Sequence, residues 1–236
     1  MMEPLITIVI PCYEMKNKGH EFLDFSFKKI QAQSYKNIKV LISDQSKNLQ
    51  NIDKVLEWAN DLDIEYVFNS RTKRISSSNL NYALSKVDKN SKYIKILFQD
   101  DFLLDENSIL NTVNAFENDG EKKWLVSTCY HSKTGEDLYY LHEPYYHDEI
   151  YLGEPNSISS PSVLTLKNGL DTFFDEELFW LMDVEYYKRM HDKFGDPIFL
   201  KTPTVVNRVW NGQVSSEVSQ NVKDFEVNYV KKKFKK

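Results

Sequence analysis

Acidic and aromatic side chains follow three of the predicted strands of this 236-residue chain, at the point where each strand ends. Pro11 and Tyr13 follow the first strand, Asp44 follows the second, and the adjacent Asp100 and Asp101 follow the fourth. Ligands of open parallel sheets bind at the carboxyl ends of the strands, which meet along one edge. We therefore expect these side chains to lie close together, although about 90 residues of sequence separate the first from the last.

The adjacent carboxylates of Asp100 and Asp101 indicate a cation site. They repel one another directly after a buried strand, and a cation beside them relieves that repulsion. Hard cations such as Mg²⁺ and Mn²⁺ take oxygen ligands and share one or two carboxylates with the phosphates of a substrate. The alternative is a pair of acids that caps the following helix, because Asp is common in turns. The two residues alone leave both alternatives open.

Two further groups of side chains at the same edge could bind a nucleotide. Asp44 can accept a hydrogen bond from a base N–H such as uracil N3–H, and Tyr13 can stack on the base. Arg71, Lys73 and Arg74 follow the third strand, where they can meet a diphosphate. The alternatives are an ordinary turn capped by Asp44 and a solvated basic turn.

A further carboxylate, Asp183, lies next to Trp180 in the first turn of a helix predicted over residues 181–194. It can act as a general base, or as an N-cap that contributes about 1 kcal/mol to helix stability. Glu185 and Arg189 are four residues apart on the same helix, and this spacing predicts a structural ion pair.

Predicted strands and helices alternate along the first half of the chain. A continuous apolar run predicts a strand at residues 5–10, and further strands are predicted at 38–42, 64–68, 93–98 and 124–128. Helical spacing of apolar residues falls between them, at residues 22–33, 52–59, 80–87 and 109–116. Such alternation is typical of βαβ units. We therefore predict a single α/β domain with a mostly parallel central sheet flanked by helices.

The pattern changes after Tyr130. Residues 131–160 are polar and aromatic, and such a long irregular stretch is usually functional. Regular structure is predicted again as a strand at 162–166, the helix at 181–194 and an extended segment at 198–210. A short basic helix is predicted from Lys223.

Composition excludes several classes of function. Hydrophobic residues make up 41% of the chain and charged residues 28%, which is typical of a globular protein. The last 14 residues carry a net charge of +4, so the remaining body carries −9, which argues against a nucleic-acid-binding protein. With seven glycines, no GxGxxG and no Walker loop, the chain lacks a glycine-rich phosphate cradle.

Several features predict a cytoplasmic protein. Cys12 and Cys129 form no CxxC pair, which fits a reducing compartment. The first residues lack a basic n-region, and no apolar stretch approaches the ~20 residues that span a bilayer. The Lys-rich end could contact the inner face of an anionic membrane, at about 1 kcal/mol per Lys. The alternative is a solvated, frayed terminus.

Several segments in this order resemble family 2 glycosyltransferases with the GT-A fold. Residues 5–13 (LITIVIPCY) resemble the opening strand of that family, and 33–46 resemble its second strand and following turn. The Asn81-Tyr82-Ala83-Leu84 segment resembles the family's Asn-x-Ala helix, and Leu97-Phe98-Gln99-Asp100-Asp101 occupies the place of its DXD metal motif. Residues 156–162 and 181–185 match later, acceptor-side segments. The resemblance covers roughly residues 5–215.

The resemblance implies a nucleotide-sugar transferase that moves a sugar to an acceptor hydroxyl, usually with inversion. By position it places Pro11, Tyr13 and Asp44 on the base and ribose, Asp100 on ribose or metal, Asp101 on the metal, and Asp183 as the general base. The segment 211–215, which contains Asn211 and Gln213, resembles a late loop that closes near the diphosphate. Trp180 is then a candidate on the acceptor side.

Two departures from the family pattern keep other functions open. Gln99 replaces an acid at the first position of the metal motif, and Met182 stands where many members have an acid beside the base. These departures leave open a catalytically inactive nucleotide- or sugar-binding module on the same fold. A nucleotidyltransferase would use the same edge and metal, but it would require a glycine-rich loop after the first strand.

We therefore expect an inverting glycosyltransferase of the hexosyltransferase class that uses Mn²⁺ or Mg²⁺. A UDP-sugar is the favoured donor, and the acceptor would be a glycan or glycolipid in polysaccharide biosynthesis. The predicted GT-A domain covers residues 1–215, with a donor half at about 1–102 and an acceptor half at about 103–215. A basic helical tail covers 216–236. The aromatic segment 131–160 is the predicted acceptor platform, since aromatic faces stack on sugar rings.

Overall fold

A nine-stranded sheet forms the centre of the computed structural model, which describes residues 3–213 and 217–235. The strands are β1 Ile6–Cys12, β2 Ile38–Asp44, β3 Ile64–Phe68, β4 Tyr93–Ile96, β5 Phe102–Leu103, β6 Trp124–Ser132, β7 Tyr140–His142, β8 Leu164–Lys167 and β9 Ile198–Arg208. The helices are α1 Gly19–Gln31, α2 Gln50–Trp58, α3 Ser76–Leu84, α4 Ser108–Asp119, α5 Met182–Phe194 and α6 Gln220–Phe234. The predicted α/β fold is confirmed.

The first four strands form a parallel half-sheet in the order β3-β2-β1-β4. Strand β1 is buried along its whole length, as its continuous β-branched run predicts. Its register on β2 places Cys12 opposite Asp44, so the polar turns after the two strands start side by side. The parallel register therefore brings together strand ends that are far apart in sequence.

The second half of the sheet is mixed. Strand β8 lies between β4 and β6 and is antiparallel to both, whereas β9 is parallel to β6. The short strand β5 pairs antiparallel with β9 at the other sheet edge. Parallel pairing is therefore concentrated in the first half, because the later strands enter the sheet from alternating directions.

The aromatic segment 131–160 is less irregular than its sequence indicates. Strand β6 continues to Ser132, and β7 pairs antiparallel with β6 through Tyr140 and Leu141. A 3₁₀ turn follows at Ile150–Leu152. Periodicity did not predict β7, because three residues are too few to show an alternating pattern.

Helix α6 packs against the core instead of extending into solvent. Val230 is fully buried in the core cluster, and Glu226 is 2% exposed. The domain boundary predicted at 215/216 stays a prediction, but the helix after it shares its core with the sheet. Within the two described ranges, no helix has the length and apolarity needed to cross a membrane.

Candidate active site

A cleft of about 470 Å³ lies at the carboxyl ends of β1, β2 and β4. We call its two sides the first wall and the second wall. The first wall comprises residues 11–15, 45–47, 74–79 and 98–101, and the second wall comprises residues 160–161 and 179–183. Of the residues predicted from sequence, the cleft brings together Pro11, Tyr13, Arg74, Asp100, Asp101, Trp180, Asp183 and Gln213.

Asp44 does not line the cleft. Its carboxylate is 1% exposed and accepts hydrogen bonds from the backbone N–H of Ser46 at 2.9 Å and the Tyr66 hydroxyl at 3.0 Å. The Ser46 hydroxyl and the Asn51 amide also donate to it. This is the turn-capping arrangement that stood as the alternative for Asp44, and the next residue, Gln45, lines the cleft instead. Contact between Asp44 and the base stays a prediction.

The two predicted arginines differ in position. Arg74 lines the cleft and donates to the Gln45 carbonyl at 3.1 Å. Arg71 lies outside the lining, where it is 3.6 Å from the carboxylate of Glu176 and lies over the ring of Tyr82. Of the two arginines, only Arg74 is therefore placed to contact a ligand in the cleft.

Gln99 organises the first wall. Its side-chain carbonyl accepts the Tyr13 backbone N–H at 2.9 Å, and its amide donates to the Asn51 side chain at 3.1 Å. Asn51 in turn donates to the Tyr13 carbonyl at 3.3 Å. A Cβ on Gly19 would lie 2.5 Å from the Gln99 amide, so only glycine allows this close approach. A side chain that both accepts and donates is needed here, and an ionised acid cannot donate.

The adjacent carboxylates Asp100 and Asp101 both line the cleft. Asp100 accepts the Trp210 indole N–H at 2.9 Å. Asp101 is 4% exposed and accepts the Arg208 backbone N–H at 2.8 Å and the Ser160 hydroxyl at 3.3 Å. Burial raises the pKa of both carboxyls, and the charge of Asp100 raises the pKa of Asp101 further. The pair is therefore a site where added positive charge is favourable.

The chemistry of this pair fits a divalent cation that also binds substrate oxygens. Two carboxylates beside an open cleft match the way Mg²⁺ is held by few protein ligands together with phosphates. Across residues 3–213 and 217–235, no group of three or more His, Cys, Asp or Glu side chains forms a complete protein cage. The two carboxylates alone would leave coordination positions of a cation open to substrate oxygens.

Asp183 lies in the first turn of α5 and lines the second wall. Its Oδ2 accepts the Asn156 amide at 2.9 Å, and its Oδ1 accepts the Val184 N–H at 2.8 Å. Burial raises its pKa to about 6, against these hydrogen bonds, and the charge of Glu226 contributes to the increase. A carboxyl with this pKa is a better base at neutral pH than an ordinary Asp.

The segment after β9 closes one side of the cleft. A Cβ on Gly212 would lie 2.1 Å from the Trp210 ring, so glycine is required for this packing. Asn211 lies outside the cleft lining, and its carbonyl accepts the Lys16 ammonium at 3.4 Å. Val214 and Ser215 of the predicted closing loop lie outside the described residues.

Sequence reasoning missed several residues of the cleft. Gln45 and Lys47 follow β2 and could have been found by the rule that ligands bind at strand ends. Ser160 lies in the segment 156–162 that resembles the family but was not singled out there, and Phe179 lies in an irregular segment that no pattern identifies. Glu226 lies behind the second wall, where its carboxylate accepts the N–H groups of the turn before α5.

Several solved structures share the fold of this chain. The N-terminal part of TarS (residues 1–349) from S. aureus in complex with UDP-GlcNAc has a TM-score of 0.71 at 12% identity, over 96% of this chain and 65% of that chain. The same TarS fragment without a named ligand gives 0.68 at 13% identity, over 98% and 72%. The mannosyltransferase PcManGT from Pyrobaculum calidifontis, in complex with GDP-Man and Mn²⁺, gives 0.64 at 17% identity, over 89% and 59%.

These TM-scores establish a shared fold. The family is established separately, by a comparison of the sequence with a family model. The family model described as Glycosyl transferase family 2 matches residues 7–190, which is most of the chain. No curated protein matches the chain. This protein belongs to glycosyl transferase family 2, as the resemblance of its motifs indicated.

Proposed function

We propose that the protein is an inverting glycosyltransferase that moves a sugar from a nucleotide-diphospho-sugar to an acceptor hydroxyl. The observation that carries the proposal is one cleft that holds the Asp100–Asp101 pair on its first wall and Asp183 on its second wall. Asp183 takes the proton of the acceptor hydroxyl while that oxygen bonds to the anomeric carbon. The bond from this carbon to the diphosphate oxygen breaks on the opposite face, so the configuration inverts.

The proposed donor is a UDP-sugar. The TarS fragment binds UDP-GlcNAc and PcManGT binds GDP-Man, so both relatives support a nucleotide-sugar in general. On this chain the base would lie against Pro11 and Tyr13, and the diphosphate would meet Arg74. The Gln45 side chain on the same wall can accept an N–H of the base.

A divalent cation, Mn²⁺ or Mg²⁺, would be held by Asp100 and Asp101. When bound, it would neutralise negative charge on the departing diphosphate. Support comes from the raised pKa values of the two carboxyls and from the Mn²⁺ in the PcManGT complex.

The proposed acceptor is a glycan or glycolipid, as in polysaccharide biosynthesis. Exposed rings of Tyr139, Tyr140 and Tyr145 form an aromatic surface on which sugar rings can stack. Hydrogen bonds connect this surface to the second wall, because Tyr145 donates its N–H to the Ser157 carbonyl at 3.1 Å and Ser157 precedes Ser160 of the cleft. The aromatic surface is therefore a candidate acceptor platform on a segment that leads along the chain to the second wall.

A rival function is an inactive binding module, which the absence of an acid at Gln99 had left open. The structure gives Gln99 a different reason, because its amide connects Tyr13 to Asn51. Met182 is buried and lines the cleft beside Asp183. We therefore favour the enzyme over the binding module.

The first experiment is a thermal-shift screen of UDP, GDP, CMP and dTDP, each with and without Mn²⁺. A nucleotide at 100 times its Kd stabilises the folded state by about 2.7 kcal/mol, which corresponds to a shift of several degrees. A shift by one nucleotide that requires Mn²⁺, followed by release of that nucleotide from its sugar conjugate, supports the proposal. A shift without turnover over all acceptors tried would favour the binding module.

Contact between the Lys-rich end of α6 and an anionic membrane is a separate proposal. Lys232 is exposed on this helix and Lys235 is exposed just after it, and their charge favours anionic headgroups. Sedimentation with vesicles that contain phosphatidylserine tests it. Equal recovery of the wild type and a variant with both lysines changed to Gln would contradict the contact.

A further inference from the structure

The turn before α5 has no cap of its own. Leu181 is the N-cap residue of α5, and its apolar side chain cannot accept a hydrogen bond. The backbone N–H groups of Phe179, Trp180 and Leu181 need partners, since buried donors without partners cost free energy. We call residues 179–181 the second-wall turn.

Glu226 of α6 supplies these partners. Its Oε1 accepts the Phe179 N–H at 2.8 Å, and its Oε2 accepts the Trp180 N–H at 3.0 Å and the Leu181 N–H at 2.8 Å. The side chain is 2% exposed. One buried carboxylate, 45 residues further along the chain than Leu181, thus binds three consecutive N–H groups. Hydrogen bonds to a charged acceptor are about twice as strong as neutral ones.

The second-wall turn leads directly into the cleft. Trp180 lines the cleft, and Asp183 follows one residue after the helix begins. Besides the Glu226 hydrogen bond, helix α6 makes a second contact with Trp180, since the Lys223 ammonium lies 4.9 Å from the centre of the indole ring. The position of both cleft residues therefore depends on how α6 is docked.

We propose that Glu226 is a positioning residue of the second wall, which holds the second-wall turn and through it sets the positions of Trp180 and Asp183. Glu226 is not among the residues that line the cleft, and it acts only through the second-wall turn. Its catalytic consequence rests on the proposed function, in which Asp183 is the general base. Its structural consequence, the protection of three backbone N–H groups, does not.

The experiment uses the full chain and the variants Glu226→Gln, Glu226→Asp and Asp224→Asn. Gln presents an NH₂ group where one carboxylate oxygen accepted, so part of the second-wall turn faces a donor instead of an acceptor. Asp keeps the charge on a shorter side chain. Asp224→Asn is the matched control, because Asp224 is exposed on the same helix, where it accepts the Gln220 amide, and this change removes one carboxylate charge outside the second-wall turn.

Hydrogen–deuterium exchange of a peptide that contains the second-wall turn is measured first. We expect faster exchange at residues 179–181 in Glu226→Gln, and unchanged exchange there in Asp224→Asn at a temperature where both are folded. Equal exchange in Glu226→Gln and the wild type would show that Glu226 does not hold the second-wall turn, and would overturn the proposal. This measurement needs no turnover, so it remains decisive even if no sugar transfer is found.

Steady-state kinetics then test the positioning role. In Glu226→Gln we expect kcat to fall about tenfold or more, because small displacements of a catalytic group cost this much. The Kd for the donor nucleotide should stay within about twofold, and Glu226→Asp should retain an intermediate kcat. If the wild type transfers sugar and Glu226→Gln keeps its kcat, the positioning role is wrong. If the wild type transfers no sugar from any donor, the proposed function fails instead.

Discussion

The two walls of the cleft are built in different ways. The first wall consists of turns that follow neighbouring parallel strands, and side-chain amides join these turns to one another. Asn79, for example, donates to the carbonyls of Cys12 and Ser43 at 3.2 and 3.0 Å. The second wall consists of irregular segments and the first turn of α5, held by a few side chains from elsewhere, such as Asn156 on Asp183 and Glu226 on Leu181. The sheet register thus organises the first wall, whereas the second depends on a few hydrogen bonds.

This difference has a consequence for the proposed reaction. A wall joined by several amides distributes the cost of losing any one of them. In a wall held by a few side chains, the loss of one hydrogen bond directly displaces the residue that it held. Changes in the first wall should therefore appear in donor binding, and changes in the second wall in turnover.

The largest effect is expected from Asp183→Asn. An amide cannot take the acceptor proton, so kcat should fall by about 10²- to 10⁴-fold, the usual contribution of a general base. The donor Kd should change less than about twofold, because Asp183 lies on the other wall. Isotope-labelled sugar transfer and nucleotide titration measure the two quantities. Asp192→Asn, on the exposed face of the same helix, is the control, and equal loss in both would exclude the base.

Gln99→Ala tests the first wall. It leaves the Tyr13 N–H without its acceptor and the Asn51 side-chain oxygen without its donor, at about 1–3 kcal/mol for an unsatisfied buried group. We expect the donor KM to rise about tenfold, with a smaller change in kcat. Gln31→Ala, which removes an exposed Gln from α1, is the control for stability and activity. A change confined to the acceptor KM would contradict the division between the walls.

The pH dependence of kcat should follow Asp183. Its pKa is raised to about 6, so the carboxyl is protonated and inactive as a base below that pH. We expect kcat to rise with pH, to reach half of its plateau near pH 6, and to fall about tenfold per unit well below it. Rates from pH 4.5 to 8 at saturating substrates measure this limb. Half-maximal activity near pH 4 would indicate that burial does not perturb Asp183.

The smallest effects concern two strained residues that lie next to the walls in sequence. Asn17 has φ 66° in the turn after β1, and Ser159 has φ 92° before Ser160. Asn17→Gly relieves the strain and should raise the free energy of unfolding by about 0.5 kcal/mol. Ser159→Gly also removes the oxygen that accepts the Asn207 amide at 2.8 Å, so it should lower that free energy by about 1 kcal/mol. Urea unfolding with an unchanged m-value measures the free energy of unfolding of both variants. A change of the same sign in both would contradict the expected difference between the two residues.

Sequence reasoning succeeded best on the first wall. Pro11, Tyr13, Asp100 and Asp101 were predicted from their places after buried strands, and the cleft contains all four. It could not decide between neighbours on one turn. Contact between Asp44 and the base stays a prediction, whereas Gln45 lines the cleft. The direction of a side chain on a turn depends on its hydrogen-bond partners, which the strand pattern does not contain.

Burial of charged side chains was likewise outside the reach of sequence patterns. Lys95 lies in the middle of β4, is 1% exposed, and donates to the Ser162 carbonyl. Burial lowers its pKa to about 7. Glu226 is in a basic segment whose composition predicts a solvated helix, and yet its carboxylate is buried. Composition averages over a segment, whereas burial of a single charge depends on the partner that meets it.

The sequence by itself determined the alternation of strands and helices, the parallel first half of the sheet, and the edge where the acidic residues meet. It could do so because a strand buried on both faces needs a continuous apolar run, and this need is local. Only the tertiary structure decided that β8 enters between β4 and β6, and that Glu226 reaches the second-wall turn. Both depend on contacts between distant segments, and the free energy of such contacts leaves no local period in the sequence.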